Sequence, residues 1–255
     1  MHLGLEKKVV LLTGGTKGIG RSMVKAFLQE GATVYFCSRT KADVEAANES
    51  LAKEFPDAKS TGAAVDVTNH AQLSEWVTNC AKESGRIDVV VANVSALTIP
   101  DTLENWQAAF NTDMLGTYTM IQAALPYLEK VKGNIITISS VSGRDVDFTA
   151  PGPYGAIKAT LVHYTAQLAH TLAPKGVRAN TVSPGNIYIP DGVWGQIEAD
   201  QPEFFKKQLE SNPMGRMGKP EEIADAVLYL ASERASFVSG TNFTVDGALC
   251  TGVQL

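Results

Sequence analysis

The chain has 255 residues, of which 44% are hydrophobic and 19% charged, a balance that excludes a fibrous protein or a disordered tail and suits one large α/β domain. Lysine and arginine total 22 against 27 aspartates and glutamates, so the net charge is −5 and nucleic acid is not an expected partner. No apolar run reaches the roughly 18–20 residues of a membrane helix, and the N-terminal Met1–Lys8 lacks the apolar core of a signal peptide. The three cysteines, Cys37, Cys80 and Cys250, form neither a metal-ligand spacing nor a disulfide framework, so free thiols in a reducing, cytoplasmic compartment are expected, with no metal and no membrane contact.

Val9–Thr13 is a continuous apolar run, as a strand covered on both faces requires. A glycine-rich turn follows, then a helical pattern from about Ile19 to Glu30 that Gly31 stops. Thr33–Cys37 is the second strand, Asp43–Glu54 a helix ended by Pro56, and Ala63–Val65 a short third strand. Ala71–Glu83 reads as a helix and Asp88–Ala92 as the fourth strand. The second half repeats the rhythm. A long helix covers about Leu103 to Val131, strand five is Asn134–Ile138, and a second long helix spans Tyr154–Leu172, closed by Pro174. Strand six at Val177–Val182, a helix at Pro220–Ala231 and a last strand at Phe243–Val245 complete the chain. Such alternation predicts right-handed βαβ units in an α/β fold, a doubly wound parallel sheet of about seven strands with helices on both faces, in a single domain over 1–255.

One segment breaks the rhythm. From about Pro190 to Lys219 there is no strand, only Trp194, Phe204, Phe205 and Met214 and room for a short helix over Pro202–Ser211. Connections beyond about 12–15 residues are usually functional, and this one is expected to be a substrate lid.

Thr13-Gly14-Gly15-Thr16-Lys17-Gly18-Ile19-Gly20 joins the first strand to the first helix. Glycines permit a tight turn and close approach of backbone to a ligand, and a helix N-terminus offers unpaired N–H groups and a partial positive charge. The spacing is not the common G-x-G-x-x-G, yet its place after strand one points to a bound diphosphate. About 20 residues beyond such a turn an acid binds the ribose 2′-hydroxyl of NAD. Here the second strand ends Cys37-Ser38-Arg39-Thr40, with no acid and with Arg39 placed to meet a 2′-phosphate. Lys17 could reach the same phosphate. Two cations favour NADP(H), with NAD(H) the alternative.

Tyr154 and Lys158 stand four residues apart at the start of the second long helix, on one face. A free phenol is a poor proton donor or acceptor at pH 7, but a nearby ammonium stabilises the phenolate. A tyrosine tuned in this way can give a proton to a ketone oxygen or take one from an alcohol. Ser140 follows strand five, at the carboxyl end of the sheet where ligand groups gather, and its hydroxyl could hold the substrate oxygen; Ser139 and Ser142 are alternatives.

With these residues in place, the chain resembles the short-chain dehydrogenase/reductase family in its single-domain form, over about residues 5 to 250. The resemblance rests on Thr13-Gly14…Gly18-Ile19-Gly20, Asp66-Val67, Asn93, Ser140, Tyr154…Lys158, Pro184-Gly185 and Val245-Asp246-Gly247, in the family's order. It implies a Rossmann-like fold and a set of roles. Asp66 would bind the adenine amino group, Val67 would line that pocket, and Asn93 would sit by the cofactor. Tyr154 would be the general acid/base, Lys158 would hold the nicotinamide ribose and tune the tyrosine, and Ser140 would orient the substrate. Pro184, Gly185 and Ile187 would pack on the nicotinamide. The family also implies assembly through its long helices and last strand. Trp106, Tyr118, Met120 and the C-terminal residues 251–255 are compatible with a homotetramer or homodimer.

Three departures stand out. The strand-four motif reads Ala92-Asn93-Val94-Ser95, with bulkier residues than the family's Asn-Asn-Ala-Gly. In the long helix, Asp113 holds the position of the family's catalytic asparagine. Asn111 cannot replace it, because two helical residues turn a side chain by about 200°. An aspartate there could pair with Lys158 and keep a proton relay with altered pH dependence. Ile189 replaces a threonine that usually contacts the cofactor. Arg144 could bind an anionic substrate or pair with Asp145 or Asp147, while His163 and His170 are read as packing or interface groups. The expectation is an NADP(H)-dependent oxidoreductase that interconverts a ketone and a secondary alcohol, similar to 3-oxoacyl reductases and polyol or cyclic-alcohol dehydrogenases. The rival readings are an NAD-linked dehydrogenase and a dinucleotide-binding scaffold or sensor without turnover.

Overall fold

The computed structural model describes residues 2–252; Met1 and the C-terminal Val253, Gln254 and Leu255, part of the segment expected at a subunit interface, lie outside the described residues. Strands β1 (Val9–Thr13), β2 (Thr33–Ser38), β3 (Ser60–Ala64), β4 (Val89–Ala92), β5 (Asn134–Ile138), β6 (Arg178–Pro184) and β7 (Asn242–Val245) form one parallel sheet in the order β3-β2-β1-β4-β5-β6-β7. β1 pairs with both β2 and β4, with Val10 opposite Val89 and Leu12 opposite Val91 on the β4 side. Strand order reverses there, which opens a crevice at the carboxyl ends of β1 and β4.

Helices cover both faces. α1 (Gly18–Gln29) and α9 (Pro220–Ala231) pack with Val10 and Leu12 of β1, while α3 (His70–Ser84), α5 (Gly116–Val131) and α6 (Pro153–Leu172) pack with Val9 and Leu11. Alternate residues of one strand thus feed two cores, as the period of two demands. α2 (Lys41–Glu54) lies beside β3. Local signals set the boundaries. Asn69 accepts the Gln72 N–H at the start of α3, Gly85 ends it at φ +77°, and Pro153 opens α6.

The structure departs from the sequence pattern in three places. β3 starts at Ser60, three residues earlier than the apolar run suggests, because it is an edge strand in which no residue is fully buried and Thr61 and Ala64 are exposed. The long helix is not uniform: α4 (Leu103–Ala109) and α5 flank a π-helical turn over Phe110–Leu115. That turn carries Asp113, only 2% exposed, and such turns cluster at functional sites. The 190–219 segment holds two helices rather than one, α7 (Val193–Asp200) and α8 (Pro202–Glu210). Its stems are pinned together where Gly218 N–H donates to Asn186 and Tyr188 N–H donates to Gly218, at 2.8 and 2.9 Å. Among the described residues no helix is long and apolar enough to cross a membrane, and no cluster of His, Cys, Asp or Glu could hold a metal ion.

Candidate active site

The chain leaves β1 through Gly14 and enters α1 through Gly18, both in the left-handed region at φ +76° and +54°. A Cβ on Gly20 would overlap the Gly14 carbonyl oxygen. The backbone is therefore bare on this side. No side chain caps the N-terminus of α1 and no acid stands in its first turn. Open amides, a bare glycine surface and a helix N-terminus fit the diphosphate of a dinucleotide. Asn93 acts from behind: its Nδ2 donates to the carbonyls of Thr13 and Gly14 at 3.1 and 3.3 Å, so it buttresses the turn. Val94 closes on Gly14, and Ile189 lies over Gly18 where the family has a polar contact.

The expected adenine-end residues lie where β2 and β3 finish. Thr16 Oγ1 donates to Ser38 Oγ at 3.2 Å, and Arg39 is exposed beside them. Lys17 is not a free cation, since its Nζ lies 2.9 Å from Asp43 Oδ2 in the first turn of α2. Sequence reasoning missed that acid because it falls five residues beyond the strand. Asp66 accepts the Thr68 N–H and hydroxyl at 2.9 and 2.8 Å. The Thr68 N–H leads in holding its carboxyl below the usual range, against the effect of burial, and Arg39 adds to it. Val67 is buried against Gly116 of α5.

The Ser–Tyr–Lys set forms one cluster. Lys158 and Asp113 are each 2% exposed, and Nζ sits 3.1 Å from Oδ1. Lys158 also donates to the Ile138 carbonyl at 3.2 Å, and the Ala96 N–H donates to Asp113 Oδ2 at 2.7 Å. The ammonium lies 5.8 Å from the Tyr154 ring centroid. Two cavities adjoin here. One of about 380 Å³ is lined by Lys17–Gly20, Asn93, Lys158, Pro184, Gly185 and Ile187; the other of about 470 Å³ lies under the lid. Ser140 and Tyr154 line both. Thr16, Ser38, Arg39, Asp66 and Val67 are outside the wall of the first cavity. Ser139 also lines the first cavity, and its hydroxyl donates to the Lys158 carbonyl at 2.8 Å.

Ser140 belongs to a chain that the sequence does not disclose. Its hydroxyl donates to Ser142 Oγ at 3.2 Å, and Ser142 donates to Asp147 Oδ2 at 2.8 Å. Arg144 turns away, bonded to the Gly252 carbonyl and 3.7 Å from Asp145, and does not line the cavity. His163 and His170 are exposed on α6 and line neither cavity. Lid residues Val193, Trp194, Ile197 and Phe204 give the cavity apolar lining alongside Ser142 and Asp147.

A parallel sheet with an uncapped glycine turn at its switch point, and a serine, tyrosine and lysine at the mouth of an adjoining cavity, define a dinucleotide-dependent oxidoreductase acting on CH–OH groups. The chain belongs to the short-chain dehydrogenase/reductase family: a family model described as enoyl-(acyl carrier protein) reductase matches residues 14–249. It is 40% identical to isoepoxydon dehydrogenase of Penicillium expansum over 98% of both chains. It is 36% identical to the 3-oxoacyl-[acyl-carrier-protein] reductase of Thermotoga maritima, covering 96% of this chain and 98% of that one. Among solved structures it is similar to L-sorbose reductase from Gluconobacter frateurii complexed with NADPH and L-sorbose, with TM-score 0.90, 25% identity, and 99% and 100% coverage. It is also similar to a 7α-hydroxysteroid dehydrogenase complexed with NADH and 7-oxo glycochenodeoxycholic acid, with TM-score 0.87, 26% identity, and 97% and 96% coverage. Family membership and these named dehydrogenases and reductases set aside the rival reading of a scaffold without turnover.

Proposed function

We propose that the protein is an NADP(H)-dependent oxidoreductase that interconverts a ketone and a secondary alcohol, with Tyr154 as general acid/base. The observation that carries the reading is that Ser140 and Tyr154 line both cavities while the Lys158 ammonium stands 5.8 Å from the Tyr154 ring. The dinucleotide, when bound, gives or takes the hydride. The glycine turn, from Gly14 through Thr16, Lys17, Gly18 and Ile19 to Gly20, would hold its diphosphate. Pro184, Gly185 and Ile187 would back its nicotinamide end, with Ser38, Arg39, Asp66 and Val67 at its adenosine end.

In the reducing direction the Tyr154 hydroxyl gives its proton to the carbonyl oxygen, and Ser140 steadies that oxygen. Lys158 carries positive charge beside the phenol and so favours its deprotonated form after transfer. Asp113 holds Lys158 in place directly, where a neutral side chain would leave the buried ammonium without an anion. The 190–219 segment closes over the substrate on its pinned stems. Exposed Trp106 on α4 and Tyr118 on α5 support assembly of a homotetramer or homodimer, whereas Met120, expected beside them, is fully buried in the core, and a reducing cytoplasm suits the free thiols Cys37 and Cys80.

A second reading, NAD(H) as the working cofactor, is favoured by Asp43, which already occupies Lys17 and leaves Arg39 as the main partner for a 2′-phosphate. A spectrophotometric screen of ring ketones with NADPH and with NADH tests both. Turnover at least about tenfold more efficient with NADPH is expected, since charge-assisted hydrogen bonds to a phosphate carry that much. Equal or better use of NADH overturns the cofactor assignment, and no turnover with either overturns the reaction.

A further inference from the structure

We infer that the substrate is an uncharged, hydroxyl-bearing ring, held at a hydroxyl by Asp147 and covered on its apolar face by Trp194. The inference rests on the oxidoreductase reading above and adds the substrate class. The lid-side cavity, about 470 Å³, suits a molecule of one or two rings. Among the described residues that line it, Asp145 and Asp147 carry the charge, and no lysine or arginine does. The cation nearest in sequence, Arg144, is committed to the Gly252 carbonyl and to Asp145. A substrate carboxylate or phosphate would therefore leave water to face Asp147, which no cation pairs here, and Asp145, whose cation Arg144 is already shared with the Gly252 carbonyl.

Asp147 is a fixed group. The N–H and hydroxyl of Thr149 donate to Oδ1 at 2.9 and 2.6 Å, and Ser142 donates to Oδ2 at 2.8 Å. Burial pushes its carboxyl up, but these hydrogen bonds outweigh burial and hold it below the usual range. An ionised carboxylate accepts and never donates, so its complement is a hydroxyl. Only Ser142 separates the oxygens of Ser140 and Asp147, by two hydrogen-bond lengths, so a carbonyl at Ser140 and a hydroxyl at Asp147 fall on the same ring. The lid supplies apolar lining to the same cavity, through Val193, Trp194, Ile197 and Phe204. Trp194 is steadied by an edge contact with Phe205 at 6.5 Å, and an indole face takes the C–H side of such a ring.

The test uses three matched ketones with the wild-type enzyme and NADPH: cyclohexanone, 4-hydroxycyclohexanone and 4-oxocyclohexanecarboxylate. Binding of each to the enzyme without dinucleotide, where no hydride can move, is read in parallel by saturation-transfer NMR. The hydroxyketone is expected to exceed cyclohexanone in kcat/KM by about tenfold or more, the scale of a hydrogen bond to a charged group, and the carboxylate to fall below cyclohexanone. In Asp147→Asn the ratio of hydroxyketone to carboxylate is expected to drop by about tenfold, mainly through KM. Reduction of all three without preference, or an unchanged ratio in Asp147→Asn, overturns the inference and leaves the redox reading standing. Preferential binding of the hydroxyketone with no reduction of any supports the substrate class and overturns the redox reading. Equal binding or no binding of the three overturns the substrate class.

Discussion

Asp113→Asn removes one of two acceptors that the fold uses. Oδ1 faces the Lys158 ammonium at 3.1 Å and Oδ2 takes the Ala96 N–H at 2.7 Å. Both side chains of the ion pair are 3% exposed, so water does not replace a lost partner. Asparagine brings one oxygen and one NH2 group. Whichever way it turns, a donor meets either the ammonium or the Ala96 N–H. A buried donor left unsatisfied costs about 1–3 kcal/mol, and a domain of this size loses about 2–4 °C in Tm per kcal/mol. Urea denaturation at pH 7 is expected to show a lower midpoint with an unchanged slope. A wild-type midpoint would refute the reasoning.

Other perturbations test separate parts of the site. Arg39→Ser is expected to weaken NADPH binding about 10–100-fold, the loss of one charge-assisted contact, with little change for NADH; equal losses for both, measured by calorimetry, would remove Arg39 from the 2′-phosphate. Gly20→Ala sets a methyl group against the Gly14 carbonyl and is expected to cost at least about tenfold in dinucleotide affinity, with an unchanged circular dichroism spectrum; wild-type affinity would show that the turn opens freely. Glu222 is paired with Arg216 at 2.8 and 2.6 Å and accepts the Lys219 N–H at the start of α9. Arg216 first, then Lys219, hold its carboxyl at about 2, below the usual 4.5. A depressed carboxyl stabilises the fold above its unfolded value and loses that contribution as pH falls from about 4.5 toward 2. The pair is solvent-screened, so Glu222→Gln is expected to cost only a few tenths to about 1 kcal/mol at pH 7 and almost nothing near pH 2, read from urea midpoints at both. An equal cost at both pH values would contradict the assignment.

The parts legible in the sequence are those with a strong local cause. β1 and β4 are buried along their length and read as near-continuous apolar runs, so their places are plain. β3 at the sheet edge has no such constraint, and its start was misplaced. Hydrophobic spacing found the long helix but not its π-helical turn, because one widened turn leaves the apolar face nearly in register. The pairing of Asp113 with Lys158 was open to inference, since one acid at one helical position can meet one lysine on the facing helix. Asp43 was not, because its contact with Lys17 depends on how α2 leaves β2. Nor was the link from Ser140 through Ser142 to Asp147, since a loop carries no periodicity and Arg144 offered Asp147 a nearer partner in sequence.

The central claim is that the Tyr154 hydroxyl moves the proton. Tyr154→Phe removes one oxygen from a half-buried side chain and leaves the glycine turn untouched. Steady-state turnover of a ring ketone with NADPH, measured beside NADPH affinity, reads the two functions separately. The account predicts a fall in kcat of about 10²–10⁴-fold, the range of general acid catalysis, with NADPH still bound. Turnover within about twofold of wild type, small against that range, would contradict it.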